Sequence, residues 1–359
     1  MKKVMLAMSG GVDSSAALVL LKEKYEVIGA TLKLFDDEEY TKATKTCCSL
    51  EDVIDAKVVA SKFNVPHYVF NFKKRFEDQV IDNFINSYIN GKTPNPCIDC
   101  NRFIKFSAML ERALALGCDY LATGHYARVC YDEDKKRYLL KKALGENGEE
   151  NPKDQSYVLC FLTQEQLSHL LLPLGEVTKD KVRGLAADNH LINAKKPDSQ
   201  DICFVPNGDY SQFIRKHTGK EYSSGNFIDT RGNILGKHNG IINYTIGQRK
   251  GLGIALGKPA YVVSKDIEEN TVTIGDNSDL FSKELFATEI NYVSIEKLES
   301  PMRVKAKTRY QQKESACTIY PLKNGEIHAV FDEEQRAITS GQIVVFYDND
   351  IVVAGGIIK

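Results

Sequence analysis

A short apolar run, Val4 to Met8, breaks into Ser9-Gly10-Gly11-Val12-Asp13-Ser14-Ser15 and continues as the helix-forming segment 14–24 (SSAALVLLKEK). This strand–loop–helix order constrains the chain more than any other feature. Two glycines let the backbone approach a phosphate closely. The helix start behind them offers free N–H groups and the positive end of a dipole to an anion. Ser9, Ser14 and Ser15 add hydroxyl donors, and Asp13 is a carboxylate able to orient a metal or backbone amides. A plain glycine turn with a serine N-cap uses the same residue types, so local physics leaves both readings open. Two other nucleotide loops are absent: no GxxxxGK[ST] occurs, and no GxGxxG opens the first helix.

Periodicity places further strands at 26–34, 67–72 and 119–123, alternating with helices at 50–63, 75–90 and 105–116. Alternation of this kind builds a parallel sheet, with ligands bound beyond the carboxyl ends of its strands. After His125 the pattern changes. A hairpin is expected at 126–142, then helices at 163–172 and 178–190. From about 206 onward short β segments dominate (260–275, 301–310, 315–321, 326–332 and 342–358). The expected fold class is α/β: a parallel-sheet domain over 1–205, a small mixed module over 206–285, and a C-terminal β-barrel over 286–359.

The chain of 359 residues carries 47 Lys+Arg against 48 Asp+Glu, which argues against gripping nucleic acid by bulk charge. The near-neutral sum hides two basic stripes. Residues 230–265 hold six Lys/Arg (231, 237, 249, 250, 258, 265) and no acid; residues 301–313 hold five (303, 305, 307, 309, 313), again with none. They are expected to face phosphates on the β modules. The N-terminus does not read as a secretory signal and no stretch is apolar enough to span a membrane, so a cytoplasmic location with reduced thiols is expected. Nine cysteines in such a compartment point to metal or catalytic chemistry for those that pair up.

Two segments stand out. In Pro94-Asn95-Pro96-Cys97-Ile98-Asp99-Cys100-Asn101-Arg102, the prolines are expected to bar helix, and Cys100 falls near a helix start with Arg102 and Lys105 close by, a setting that favours thiolate. A lone CxxC reads as a redox pair, half a metal site or two incidental thiols. No second CxxC or His pair is spaced to complete a zinc site, and the nearest further cysteine in context is Cys203, in Pro197-Asp198-Ser199-Gln200-Asp201-Ile202-Cys203-Phe204. Residues 197–206 are expected to be mobile. Cys118, Cys130, Cys160 and Cys317 read as packing, and Cys47-Cys48 as exposed thiols or a sulfur relay.

The loop SGGVDS resembles the PP-loop signature SGGxDS of the ATP pyrophosphatases. With it, ATGHYAR (122–128), TPNPCIDCNRFIKF (93–106), KDQSYVL (153–159), PDSQDICF (197–204), YTIGQRKGLG (244–253), KTRY (307–310) and GQIVVFY (341–347) resemble the bacterial tRNA-specific 2-thiouridylases across nearly the whole chain. The resemblance implies ATP and Mg²⁺ as cofactors, bound at Ala7, Met8, Ser9, Gly10, Gly11, Val12, Asp13, Ser14, Leu32 and Gly124. It implies a target-base contact at Asn95, Pro96 and Cys97, and tRNA contacts at His125, Lys153, Asp154, Gln155, Arg309, Tyr310 and Gln342. It implies Cys100 as the catalytic cysteine and Cys203 as the persulfide-bearing one, loaded by a cysteine desulfurase or a sulfur-relay protein. Many members carry Asp at the Cys97 position. The CxxC here leaves two routes open: a [4Fe–4S] cluster on Cys97, Cys100 and Cys203, or a cluster-free persulfide.

Overall fold

The computed structural model describes residues 1–35, 50–197, 202–205 and 208–359. Cys47, Cys48 and residues 198–201 and 206–207 lie outside the described residues. The N-terminal part is built on a five-stranded, wholly parallel sheet. Its strands are β1 (Lys3–Ala7), β2 (Glu26–Lys33), β3 (His67–Asn71), β4 (Tyr120–Ala122) and β7 (Leu170–Leu171), in the order β3-β2-β1-β4-β7. The chain winds outward from β1 through β2 to β3, then crosses back to lay β4 on the other side of β1. That reversal puts the topological switch point at the carboxyl end of β1, where ligands enter sheets of this kind. Helix α1 (Val12–Leu21) starts there, and α2 (Leu50–Lys62) follows β2.

The fifth strand was not foreseen. The helix expected over 163–172 stops at Ser168 after a capping box from Thr163 and Gln166, and Leu170–Leu171 pair with Leu121–Ala122. Two residues are too few to show a strand period. The expected helix at 105–116 instead begins at Pro96, which takes the first helical position, where the missing N–H costs nothing. From Cys100 to Ala108 the winding is π-helical before it tightens at Met109–Ala115. The other helical run, 73–89, contains a π turn at Glu77–Ile81. Stretches of π-helix recur at functional sites.

The C-terminal barrel closes six antiparallel strands: β12 (Phe281–Tyr292), β15 (Ile327–Arg336), β14 (Ser315–Pro321), β13 (Met302–Lys307), β16 (Ile343–Asp348) and β17 (Ile351–Ile358), with β12 returning to β17. Its core is an apolar cluster including Val304, Ile319, Phe331, Phe346 and Val353. Strand β12 begins at Phe281, across the division at 285/286 expected from sequence. Between the two large units stands a four-stranded sheet, β8 (Gly225–Ile228), β9 (Ile234–His238), β10 (Tyr261–Asp266) and β11 (Thr271–Gly275), preceded by the helix Tyr210–Thr218. The expected hairpin is present as β5 (Ala127–Asp132) and β6 (Arg137–Lys142). It joins the barrel's sheet rather than the parallel one, through Lys141 against Ile351.

Candidate active site at the switch point

Met8 to Gly11 turn the chain out of β1. Gly10 sits at φ +72°, and a Cβ there would stand 2.3 Å from the carbonyl oxygen of Asp52 at the start of α2, so glycine is required. Gly124, just past β4, is equally constrained: a Cβ would lie 2.9 Å from the Asp13 carbonyl carbon and the Ser14 nitrogen. Gly11 is the N-cap of α1 and has no side-chain cap, which leaves the first turn's N–H groups for an anion. Ser14 Oγ donates to Gly11 O at 3.1 Å and accepts from Ser9 N at 3.3 Å, while Ser15 Oγ also donates to Gly11 O. The hydroxyls of Ser14 and Ser15 thus shape the loop from inside. Ala7 and Val12 anchor its two ends, while Leu32, only 6% exposed, belongs to a different apolar cluster from Met8 and Val12 of the loop. The arrangement fits a polyphosphate.

Three side chains brace this loop from far along the chain; Tyr126 lies in the ATGHYAR stretch, while Lys179 and Asn193 fall in no recognised motif. Lys179 Nζ stands 2.8 and 2.9 Å from the Asp13 carboxylate oxygens, and Tyr126 Oη donates to Asp13 Oδ1 at 2.6 Å. Asn193 Nδ2 donates to Gly10 O at 2.9 Å and Ser15 Oγ at 2.8 Å. Lys196 pairs with Asp52 and Asp55 of α2 at 2.6 and 2.7 Å. The segment leading to Cys203 therefore begins as a strut of the phosphate loop.

Cys97 is exposed and Cys100 is buried at the point where α-helix gives way to π-helix. Cys100 belongs to the largest apolar cluster, which also holds Leu32 and Phe204, and half-buried Cys203 packs against it. Phe204 plugs the segment in place, with ring centroids 5.6 Å from Phe76 and 5.2 Å from Phe84. Of the stretch expected to be mobile, Phe204 and Val205 are thus core residues. Asp99, between the two cysteines, is pushed up to about 7 by burial and by Glu289, against the pull of Arg102. Arg102 bridges to Glu289 of β12 at 3.3 Å and lies over the rings of Phe103 and Phe161. Among the described residues no three His, Cys, Asp or Glu side chains stand together to hold a metal. The trio Cys97, Cys100 and Cys203 does not fit an iron–sulfur cluster in this arrangement.

Residues 2–207 match the family model described as the tRNA methyl transferase HUP domain, 211–276 the tRNA methyl transferase PRC-barrel domain, and 282–358 the aminomethyltransferase beta-barrel domain. The chain is 58% identical to the tRNA-specific 2-thiouridylase MnmA of Acetivibrio thermocellus, covering 100% of this chain and 99% of that relative. It is 54% identical to the protein of the same name from Clostridioides difficile, covering 100% and 98%. The chain belongs to the tRNA-specific 2-thiouridylase family.

Of the family's expected tRNA positions, Gln342, Tyr310 and Asp154 join the N-terminal part to the barrel. Gln342 Nε2 donates to Thr93 O at 2.8 Å and to Pro94 O at 3.3 Å, and Thr93 N donates to Ser340 O at 2.9 Å. The loop that carries Asn95, Pro96 and Cys97 is therefore pinned to the barrel. Arg309 points inward. Its guanidinium donates to Ala337 O, Thr339 Oγ1 and Ile246 O, and burial together with Arg336 lowers its pKa. Tyr310 is partly exposed, donates to Asp154 O at 3.1 Å, and is pushed up to about 12 by burial. The Asp154 carboxylate accepts from Ala143 N, Ser156 N and Ser156 Oγ, so it is an internal brace; burial raises its pKa. Gln155 exchanges hydrogen bonds with the Tyr126 backbone at 3.0 and 2.7 Å, and Lys153 N donates to Asn151 Oδ1. His125 contacts Thr123 Oγ1 at 2.8 Å, and burial, aided by Lys105, holds its imidazole down at about 3, hence neutral.

Two expectations need correction. The basic stripes are not uniformly phosphate-facing: Lys258 pairs with Asp276, Arg303 with Asp332, and Lys307 is drawn in beside Glu314, while Lys265 donates to Tyr244 O in the interior. Asp332 comes from β15, whereas Asp276 and Glu314 lie outside strands, past the ends of the two stripes. Arg231, Lys237, Arg249, Lys250, Lys305 and Lys313 remain exposed. Of the cysteines read as packing, Cys118, Cys160 and Cys317 are buried, but Cys130 is exposed on β5.

Proposed function

We propose that this chain uses ATP to activate C2 of the wobble uridine of tRNA and replaces its oxygen with sulfur, giving 2-thiouridine, AMP and pyrophosphate. A uracil carbonyl is a poor electrophile, so O2 attacks the α-phosphorus and the bond to the β-phosphate breaks with its electron pair leaving on pyrophosphate. The N–H groups at the start of α1 face the charge that develops. Asp13 is the loop carboxylate that would face a Mg²⁺, whose chemistry there is to neutralise phosphate charge. Asn95, Pro96 and Cys97 take the flipped-out base, and His125, Lys153, Gln155, Tyr310 and the exposed cations hold the RNA around it.

Sulfur arrives as a persulfide on Cys203, loaded by a persulfide-donating protein such as a cysteine desulfurase. The Cys100 thiolate attacks Cys203 Sγ, the Sγ–Sγ bond forms, and hydrosulfide leaves to add at C2; AMP then departs with the original O2. A dithiol reductant reopens the disulfide before the next turnover. The supporting observation is that the Cys100 helix, the Cys203 segment and Leu32 of β2, a position the family resemblance gives to the nucleotide, share one apolar cluster. The family models' descriptions speak of methyl transfer, but the loop and these two cysteines suit adenylation and sulfur transfer instead. The test is AMP release and thiolation by the full chain with tRNA and a persulfide donor. AMP is expected only with tRNA, and Cys100→Ser and Cys203→Ser each abolish thiolation. An ammonia-using ligase would tolerate both changes, and thiolation surviving in either variant overturns the assignment.

A further inference from the structure

We propose that Lys179 is the cation that binds the leaving pyrophosphate end of ATP, a role that rests on the adenylation chemistry just set out. The segment Ala7 to Ser15 contains no Lys or Arg. Reaction at the α-phosphorus nevertheless expels a multiply charged pyrophosphate, and a helix start supplies only about half a unit of positive charge. The missing cation arrives from 166 residues away: Lys179 Nζ bonds both oxygens of Asp13, which lies in the first turn of α1.

Its placement is not explained by its own helix. Lys179 opens the helix Lys179–Asp188, capped by Thr178, where the macrodipole disfavours a cation. Its side chain is 11% exposed, so the ammonium is held out of bulk water beside the Tyr126 ring. Two helix starts and one ammonium are thus gathered around a single carboxylate. Neutralising Asp13 alone would need only the lysine. The surplus positive potential, beside a glycine loop whose first-turn N–H groups carry no side-chain cap, fits a second and larger anion. A terminal phosphate group on the loop would take Lys179 as its partner, with Asp13 left to a divalent cation. The ammonium stays protonated throughout, so no proton moves.

The experiment titrates inorganic pyrophosphate into the full chain by calorimetry, for wild type, Asp13→Asn, Lys179→Met and the Asp13→Asn/Lys179→Met double variant. The double variant removes both charges of the pair and leaves neither buried alone, so it is the safe variant for folding; thermal melts check each protein. Lys179→Met is expected to raise the pyrophosphate Kd by about 10- to 100-fold, the range of a charged hydrogen bond. The same loss is expected between Asp13→Asn and the double variant, and Lys179→Arg restores most of the binding. If the double variant binds pyrophosphate as well as Asp13→Asn does, Lys179 only holds Asp13 and the proposal falls. It falls equally if wild type shows no pyrophosphate binding. Failure of tRNA-dependent AMP release would overturn the adenylation reading instead, and the two failures are read from separate assays.

Discussion

Gly341 is where the barrel meets the loop that carries Asn95, Pro96 and Cys97, the proposed target-base contacts, and its replacement by alanine tests that clamp. The residue sits at φ +86°, and an added Cβ would lie 2.8 Å from Lys92 Cβ, 3.0 Å from Thr93 N and 3.2 Å from Thr93 O. The left-handed backbone alone costs an L-residue roughly 1–2 kcal/mol. Overpacking against backbone that cannot rotate away adds about 1–3 kcal/mol. Relief requires Thr93 to move, which breaks its hydrogen bond to Ser340 O and the reach of Gln342 to Thr93 O and Pro94 O. Gly341→Ala should therefore destabilise the chain by about 2–5 kcal/mol in urea unfolding and displace Asn95, Pro96 and Cys97. The KM for tRNA rises and kcat falls, while ATP binding without tRNA is unchanged. Gly325 is the control. It sits at φ +80° with nothing within 4 Å of its added Cβ, so Gly325→Ala carries the backbone cost of about 1–2 kcal/mol without steric contact. If Gly341→Ala costs no more than Gly325→Ala and leaves the tRNA KM alone, the clamp argument is wrong.

Gly124→Ala should push its methyl group into the Asp13–Ser14 backbone and weaken ATP binding at least about tenfold, a loss of 1.4 kcal/mol or more, read by nucleotide titration. Asp99 has a folded pKa of about 7, above its unfolded value, so its contribution to stability is present at acid pH and lost as pH rises through 7. The difference in unfolding free energy between wild type and Asp99→Asn should change across pH 4–7 by at most about 4 kcal/mol, three units at 1.36 each; a pH-independent difference refutes the assignment. His125, held at about 3, has the opposite sign: stability falls as pH drops below about 6.5, where the unfolded imidazole takes up a proton that the folded one refuses. Its ring signals in NMR should not titrate between pH 5 and 8. Native thiol labelling should modify Cys130 rapidly and leave Cys118, Cys160 and Cys317 protected until the chain unfolds.

The nucleotide loop was legible in sequence because its determinants are local: a strand, two glycines and a helix start lie within a dozen residues. The alternation of strands and helices gave the parallel sheet for the same reason. What escaped was whatever depends on long separations or short elements. Lys179 meets Asp13 across 166 positions and carries no pattern of its own; Gln342 stands in a recognisable stretch, but its partner Thr93, 249 positions away, does not follow from it. Strand β7 is two residues long and borrows its register from β4. The hairpin β5–β6 was visible as a hairpin, yet which sheet it extends depends on the far end of the chain. Pro96 illustrates a different limit: proline is excluded from helix interiors yet at home in the first turn, so its presence alone does not tell a helix start from a loop.

These long-range contacts join into one path from the nucleotide loop to the barrel. Asp13 takes a hydrogen bond from the Tyr126 hydroxyl, and the Tyr126 backbone is locked to Gln155 on both sides. One residue earlier, the Asp154 carbonyl accepts from Tyr310, while Ser156 reaches Tyr347 at 3.3 Å. The Tyr347 ring is covered by Lys142 of the hairpin and Lys307 of β13. The buried polar links among them, Ser156 and Tyr347, would leave an unsatisfied partner if lost, at a cost of about 1–3 kcal/mol each. Residues 153–155 are therefore joined to Asp13 through Gln155 and Tyr126. Under the proposed chemistry, the geometry that receives the tRNA and the geometry that presents the phosphate loop form one mechanical unit, which is what confining adenylation to a correctly seated uridine requires.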